Sequence, residues 1–118
     1  MATLKTLKFY RTENGKIPFV KWFDKLNMEI RIRVRQRLDR LALGQKGDYR
    51  ALPKGLYELK MHFGAGYRIY FSENKGNIIL LITGGDKSSQ SVDIRTSYKY
   101  LQDYRNNQDE AYDKKNKS

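Results

Sequence analysis

Apolar and polar residues alternate at the start of the chain and then change to a helical spacing. Residues 4–11 place successive side chains on opposite sides, as in a strand, and residues 13–16 have the composition of a turn. Pro18 suits the first position of a helix, and the large apolar residues behind it recur at spacings of three, one and three. This region predicts a strand and then a short helix, whose apolar face is Phe19, Trp22, Phe23 and Leu26.

A second helix is predicted from Asn27, a suitable N-cap, to about Leu43, after which Gly44 supplies a left-handed stop. The pattern also fits a strand, because β-branched residues alternate with arginines over residues 30–35. We prefer the helix, since an apolar stripe with helical spacing continues past the alternating piece and no turn breaks it. That stripe consists of Ile30, Val34, Leu38 and Leu41.

Three short β-like runs follow a loop at residues 45–55. They cover Leu56–Phe63, Tyr67–Ser72 and Asn77–Thr83, and glycine-containing turns join them into an antiparallel meander. Residues 78–82 are apolar on both faces, which predicts a strand inside the sheet that is covered on both sides. A last helix at about Val92–Tyr104 completes the order β-α-α-β-β-β-α.

The 118 residues suffice for one hydrophobic core, and no repeat or linker divides them. We therefore expect a single α+β domain at residues 1–104. Residues 105–118 are polar and poor in aliphatic side chains, so we expect a flexible tail there.

The net charge of +11 predicts a polyanionic partner. Nucleic acid, an acidic protein and anionic lipid all qualify, but no apolar run reaches the roughly 18 residues of a membrane span, so lipid is the least favoured. The N-terminal residues lack the apolar block of a secretory signal, and we expect a cytoplasmic protein. The chain has no cysteine and one histidine, which argues against a metal site and leaves cofactor-free chemistry or binding.

The predicted meander gathers residues that suit phosphate chemistry. A period of two places Leu59, Met61, Tyr67, Ile69 and Phe71 on the core face. The opposite face then carries polar side chains on adjacent strands, within reach of one scissile phosphate. These are Glu58, Lys60, His62, Arg68 and Tyr70.

RNA is cleaved without a metal when its 2′-OH attacks the neighbouring phosphate and cations stabilise the charge that develops there. Arg68 suits this task because its planar fork binds two phosphate oxygens at once; the alternative is an ordinary ion pair with Glu58. His62 can exchange a proton near neutral pH, although a surface histidine without a role fits the pattern as well.

Arginines are densest on the predicted second helix, where Arg33, Arg37 and Arg40 lie close together. This stripe can grip RNA through its backbone, a contact that weakens steeply with salt. The alternative is a solvated helix face without a partner.

Five sequence blocks occur in order between about residues 9 and 104. They are K-I-P-F-x-x-W-F-x-x-L, R-L-x-R-L-x-x-G-x-x-G-D, E-L-K, G-x-G-Y-R-I-Y-F and G-G-D-K-S-S-Q. Together they resemble the RelE/ParE superfamily, and within it the HigB-like "addiction module killer protein" branch of type II toxin–antitoxin systems. The resemblance implies a RelE-like antiparallel sheet with two N-terminal helices packed on it.

The same resemblance implies a function. Many members are endoribonucleases, or mRNA interferases, that enter the ribosome, cleave mRNA and inhibit translation, while a cognate antitoxin, here expected to be of the helix-turn-helix type, restrains them. Members related to ParE instead inhibit DNA gyrase without enzymatic activity, and a nucleic-acid-binding relic that has lost toxicity is a third possibility. Arg68, Lys60 and Lys87 fall where the ribonuclease members carry cations, and we expect these three and His62 to be catalytic. The alternative for Lys60 and Lys87 is a solvated lysine without a role.

One departure from the ribonuclease members concerns an aromatic residue beyond the last strand. Several of them carry a tyrosine there that contacts the target nucleotide, whereas this chain has Ser88–Asp93. Tyr70 or Tyr98 would have to supply an aromatic surface, and we assign Tyr70 to RNA binding with Arg33, Arg37 and Arg40. Asp93 is expected to cap the last helix, with a role as a base as the alternative.

Overall fold

The computed structural model describes the backbone of residues 4–116 and the side chains of residues 4–107. Short 3-10 turns at Pro53–Gly55 and Lys87–Ser89 lead into the third strand and the last helix. The remaining elements, in chain order, are β1 (Thr6–Phe9), α1 (Pro18–Asp24), α2 (Met28–Ala42), β2 (Tyr49–Leu52), β3 (Leu56–Lys60), β4 (Arg68–Asn74), β5 (Ile78–Gly85) and α3 (Gln90–Asn116).

The α+β class is confirmed, but the sheet is mixed rather than antiparallel. Its five strands lie in the order β1-β5-β4-β3-β2, and β1 runs parallel to β5 from Thr6 beside Ile78 to Phe9 beside Leu81. A parallel pair needs a long crossover, which both N-terminal helices and the meander provide. The sequence pattern of β1 shows a strand but carries no information on its direction.

The strand β2 was not predicted, because its residues lie in the segment that we interpreted as a loop. It is an exposed edge strand that pairs with β3 from Tyr49 opposite Leu59 to Leu52 opposite Leu56. A four-residue edge strand buries too little to show an apolar alternation. The predicted sheet therefore lacked one strand.

Both N-terminal helices begin as predicted. Pro18 opens α1, and the side chain of Asn27 accepts a hydrogen bond from the backbone N–H of Ile30 at 3.0 Å, which caps α2. Gly44 follows α2 with φ of 84°, the left-handed conformation expected of a stop signal. The helical interpretation of the arginine-rich segment is confirmed.

Helices cover both faces of the sheet, so there are two apolar cores. α1 and α2 pack on one side, the α2 face, and α3 packs on the other, the α3 face. The α2-face core contains Phe19, Val34, Leu38, Leu41, Leu59, Met61, Ile69, Phe71, Ile79 and Leu81. The α3-face core contains Tyr10, Leu56, Tyr70, Leu80, Ile82 and Leu101.

β5 is buried on both faces and lies inside the sheet, as predicted. Its last two residues are glycines because both layers approach them closely. A Cβ on Gly84 would lie 2.3 Å from the ring of Trp22, and a Cβ on Gly85 would meet the carboxylate of Asp93. The double glycine lets α1 and α3 close on the two sides of one strand.

The last helix is longer than predicted. It begins two residues earlier, at Gln90, and the backbone stays helical to Asn116, across most of the segment for which we expected a flexible tail. Arg, Gln, Glu, Lys and Ala in this segment favour helix even where there is no apolar face. Within residues 4–116, no helix is long and apolar enough to cross a membrane.

Candidate functional site

A buried carboxylate organises the polar residues under the start of α3. Glu58 on β3 is fully buried, and its Oε2 accepts hydrogen bonds from the Tyr70 hydroxyl and the Gln90 amide, each at 2.9 Å. A guanidinium nitrogen of Arg50 lies 3.2 Å from Oε1, and Nε of Arg68 lies 3.5 Å from Oε2. A buried charge is tolerated only with such compensation, so this network fixes the positions of all five side chains.

Tyr70 is not available to RNA, which corrects its assignment as an RNA-binding residue. Its side chain is fully buried in the α3-face core. Burial, and then the hydrogen bond to Glu58, raise the pKa of its hydroxyl above the usual range. The period of two predicts that Tyr70 faces away from the core, whereas α3 covers this face of the sheet.

Arg68 is held from two directions at the end of β4. Its side chain is 14% exposed, is paired with Glu58 and donates a hydrogen bond from Nη1 to the carbonyl oxygen of Gly66 at 3.0 Å. The ion pair that we considered as the alternative to a functional role is therefore present. The same contacts place the guanidinium where the sheet meets the surface, and its Nε makes an ion pair with Glu58 but no hydrogen bond.

Three cations meet at this end of the sheet, and we call Lys60, Arg68 and Lys87 the cationic edge. Lys60 lies directly opposite Arg68 in the β3–β4 register. The backbone N–H of Lys87 donates to Ala65 at 3.3 Å, and a Cβ placed on Gly66 would lie 3.4 Å from that of Lys87 and 3.7 Å from Nη1 of Arg68. The structure thus brings together three of the four residues predicted to be catalytic.

The segment between β5 and α3 is fixed by a cap next to the cationic edge. The Asp86 carboxylate accepts from the backbone N–H of Ser88 at 2.8 Å and from its hydroxyl at 2.5 Å. These bonds hold the pKa of Asp86 below its ordinary value, and the charge of Arg68 contributes. The cap orients the backbone that carries Lys87.

Asp93 lies in the first turn of α3, against the backbone of Gly85. It accepts a hydrogen bond from the Ser89 hydroxyl at 2.5 Å. Burial raises the pKa of its carboxyl, an effect that the bond from Ser89 opposes. Asp93 thus ties the start of α3 to the preceding 3-10 turn.

His62 lies beyond the end of β3, because the strand ends at Lys60 and not at Phe63 as predicted. Its imidazole is exposed, and Nε2 contacts a carboxylate oxygen of Asp48. The pKa of Asp48 is lowered, first by this bond and further by the charges of Lys60 and Arg37. Asp48 therefore lies within electrostatic range of Lys60 in the cationic edge and of Arg37 on α2.

The arginines of α2 line a pocket on the other side of the hairpin between β3 and β4. We call it the arginine pocket, and it has a volume of about 250 Å³. Arg37 is anchored by hydrogen bonds from Nη2 to the carbonyl oxygens of Lys46 and Asp48, at 3.1 and 3.0 Å. The residues that line the arginine pocket are Arg33, Gln36, Arg37, Arg40, Met61 and Phe63.

Phe63 lines this pocket but was not predicted as a site residue. The guanidinium carbon of Arg33 lies 4.5 Å from the centre of the Phe63 ring, which is partly exposed. The sequence signal was an aromatic residue immediately before a Gly-Ala-Gly turn, which we interpreted as the end of a strand.

The described residues contain no group of three His, Asp or Glu side chains placed to hold a metal ion.

Fold and site define a small basic α+β protein with a cationic edge at one end of its sheet. The chain belongs to the family described as phage derived protein Gp49-like (DUF891), whose model matches residues 21–105. This family is associated with the toxins of toxin–antitoxin pairs, and such a toxin partners a cognate antitoxin. The chain is also 36% identical over 80 residues to an uncharacterized protein of Haemophilus influenzae, a match that covers 67% of this chain and 81% of the relative.

Proposed function

We propose that this protein is the toxin of a type II toxin–antitoxin system and cleaves mRNA on the ribosome without a metal ion, as a HigB-like member of the RelE/ParE superfamily. The observation that carries the proposal is the cationic edge. Lys60 on β3 lies opposite Arg68 on β4, Lys87 in the turn before α3 lies next to Gly66, and the Glu58 network positions Arg68. Such a protein acts in the cytoplasm and is held inactive by an antitoxin, for which we favour a helix-turn-helix protein.

The chemistry needs positive charge at one phosphate. Attack of the RNA 2′-oxygen on the adjacent phosphorus forms a bond there, the bond to the 5′-oxygen breaks, and negative charge builds on the phosphate oxygens. Arg68 binds this phosphate through its fixed guanidinium, and the ammonium groups of Lys60 and Lys87 stabilise the developing charge. Preorganised cations are effective because no reorganisation is needed during the reaction.

Proton transfer falls to His62 in this proposal. His62 takes the proton of the 2′-OH, a water molecule protonates the departing 5′-oxygen, and Asp48 orients the imidazole ring. The exposed position beyond β3 lets His62 adjust when RNA and ribosome are bound. The arginines of α2 bind the RNA backbone.

Induction in a host without the antitoxin tests the proposal. Wild-type protein is expected to stop growth and yield transcripts cut within their reading frames, while Lys87→Ala and Lys60→Ala relieve the arrest. Both lysines lie outside the buried Glu58 network, so we expect their replacement to keep the fold. Arg68→Ala, in contrast, removes one partner of the buried Glu58 carboxylate and is expected to destabilise the protein. Arg11→Ala, which removes an exposed arginine remote in sequence from the site, is the matched control and retains toxicity.

Growth arrest with intact transcripts and a DNA-damage response would contradict the proposal in favour of a gyrase inhibitor. Harmless expression of a folded protein would contradict both toxic functions.

A further inference from the structure

The arginine pocket combines an aromatic surface with several cations, which is the composition of a single-stranded nucleic acid site. Its floor is the buried Met61, one wall is the ring of Phe63, and exposed side chains of α2 form the rim. We infer that this pocket binds one nucleotide of single-stranded RNA, with its base stacked against the Phe63–Arg33 pair. The inference rests on the proposed function only in taking RNA as the polymer.

The Arg33 guanidinium lies over the Phe63 ring, so the pair presents to a base the outer face of the guanidinium, supported by the ring. A guanidinium and an aromatic ring are the platforms that proteins use for unpaired bases. The ring is held in place by Tyr67, whose centroid lies 5.7 Å away, so it does not have to be ordered when a base arrives. Gln36 on the rim adds an amide that can hydrogen-bond a base edge.

The other end of the pocket suits the phosphate of the same nucleotide. Arg37 is fixed by its two backbone acceptors and lies beside Arg40. Its pKa is lowered by burial and also by the charge of Arg40, which indicates repulsion between neighbouring guanidinium groups. A phosphate between them would relieve that repulsion.

The position of the pocket relates it to the cationic edge. Phe63 and Tyr67 flank the Gly-Ala-Gly tip of the β3–β4 hairpin, and the strands next to this tip carry Lys60 and Arg68. An RNA strand that passes over the tip thus contacts the cationic edge on the α3 face and the arginine pocket on the α2 face.

Binding of a short labelled oligomer, followed by fluorescence anisotropy, tests the inference without ribosomes. Oligomers of 2′-fluoro nucleotides keep the bases and phosphates but lack the attacking hydroxyl, so cleavage plays no part. Phe63→Leu is expected to weaken binding about tenfold, within the range measured for one aromatic–base stack, and Phe63→Tyr to keep it within about twofold. Phe9→Leu, at a 42% exposed ring on β1, is the matched control and leaves binding unchanged.

An oligomer of the same length with abasic sites separates base stacking from charge. The wild-type protein is expected to bind the abasic oligomer about tenfold more weakly than the complete oligomer. Wild type and Phe63→Leu are expected to bind the abasic oligomer with equal affinity. Equal binding of the complete oligomer by wild type and Phe63→Leu would overturn the inference. The inference would also be overturned if Phe63→Leu weakened binding of a polyglutamate peptide as much as it weakens binding of the RNA oligomer. The site would then recognise an acidic protein.

These results are independent of the test of the proposed function. Loss of toxicity in Lys87→Ala with unchanged binding by Phe63→Leu would contradict the nucleotide site alone. The expected binding pattern without any mRNA cleavage would contradict the nuclease function alone.

Discussion

Glu58 joins four elements through one side chain. Its carboxylate contacts Arg50 on β2, Tyr70 and Arg68 on β4, and Gln90 at the start of α3. Because the group is fully buried, each missing partner leaves uncompensated charge. The position of the Arg68 guanidinium thus depends on residues that never touch a substrate.

Replacement of Tyr70 by Phe tests this dependence. The change removes one buried donor to Glu58 and nothing else, and we expect the free energy of unfolding to fall by about 1–3 kcal/mol. Urea denaturation followed by circular dichroism measures it.

Tyr98→Phe is the control for this comparison, since the Tyr98 hydroxyl donates to the Pro53 carbonyl at the protein surface. Water can replace that bond, so a loss well under that of Tyr70→Phe is expected. Equal effects of the two substitutions would contradict the role given to the buried network.

At the residue scale, much of the site follows from the sequence. The period of two in β3 and β4 correctly places Lys60 beside Arg68, because a strand pair fixes which side chains are neighbours. Burial is not contained in that pattern. A polar residue such as Glu58 looks the same whether it faces water or a covering helix, so Tyr70 was assigned to RNA.

At the scale of elements, the segment between β5 and α3 determines where Lys87 lies. Gly84 and Gly85 let two helices approach β5, and Asp86 caps the turn that follows. Ser89 completes the cap, since its hydroxyl accepts from the Asp86 N–H at 3.4 Å. These hydrogen bonds define the conformation of a segment whose residues are small and polar.

The Asp86 cap predicts a pH dependence of stability. The pKa of Asp86 lies below its ordinary value of 3.8, so its contribution is fully present above that pH and is lost as the pH falls through the lower, folded-state value. Asp86→Asn keeps a capping oxygen but removes the charge, so it is expected to lower the free energy of unfolding by about 0.3–1 kcal/mol at pH 7. In strong acid the two proteins converge.

Urea titrations at several pH values measure this difference. Asp39→Asn, at an exposed position of α2, is the control and shows no such convergence. A gap between wild type and Asp86→Asn that stays constant from neutral to acidic pH would contradict the charged cap.

The elements differ in how well the sequence predicts them. α1, α2 and β5 were predicted because capping residues, an apolar stripe and a run that is apolar on both faces are local signals. The edge strand β2, the parallel direction of β1 and the docking of α3 on the sheet depend on contacts between distant segments. No local pattern encodes those contacts.

At the scale of the whole molecule, positive charge is present on both sides of the β3–β4 hairpin. The cationic edge lies on one side and the arginine pocket on the other. With a net charge of +11, the protein attracts any polyanion, so specificity must come from the placement of a few groups. Salt separates the general attraction from individual phosphate contacts.

The salt dependence of RNA binding tests the role of the α2 arginines. For single-stranded RNA, each phosphate contact contributes roughly 0.7 to the slope of log affinity against log salt. Arg37→Gln with Arg40→Gln is expected to lower that slope by roughly 1.4. The control is Arg11→Gln with Arg95→Gln, which changes the net charge of the protein by the same amount. If this control lowered the slope as much as the α2 variant does, specific phosphate contacts on α2 would be contradicted.

The chemistry of the cut ends tests the central claim most directly. Attack by the 2′-oxygen leaves a 2′,3′-cyclic phosphate on the upstream fragment and a 5′-hydroxyl on the downstream fragment. Purified protein, programmed ribosomes and a defined mRNA, with the fragments analysed by mass spectrometry, distinguish these termini from others. We predict that the upstream fragment ends in the cyclic phosphate, or in the 3′-phosphate formed by hydrolysis of the cyclic phosphate, and that Lys87→Ala does not produce this fragment. Fragments with a 3′-hydroxyl and a 5′-phosphate, or an uncut mRNA, would contradict the proposed cleavage.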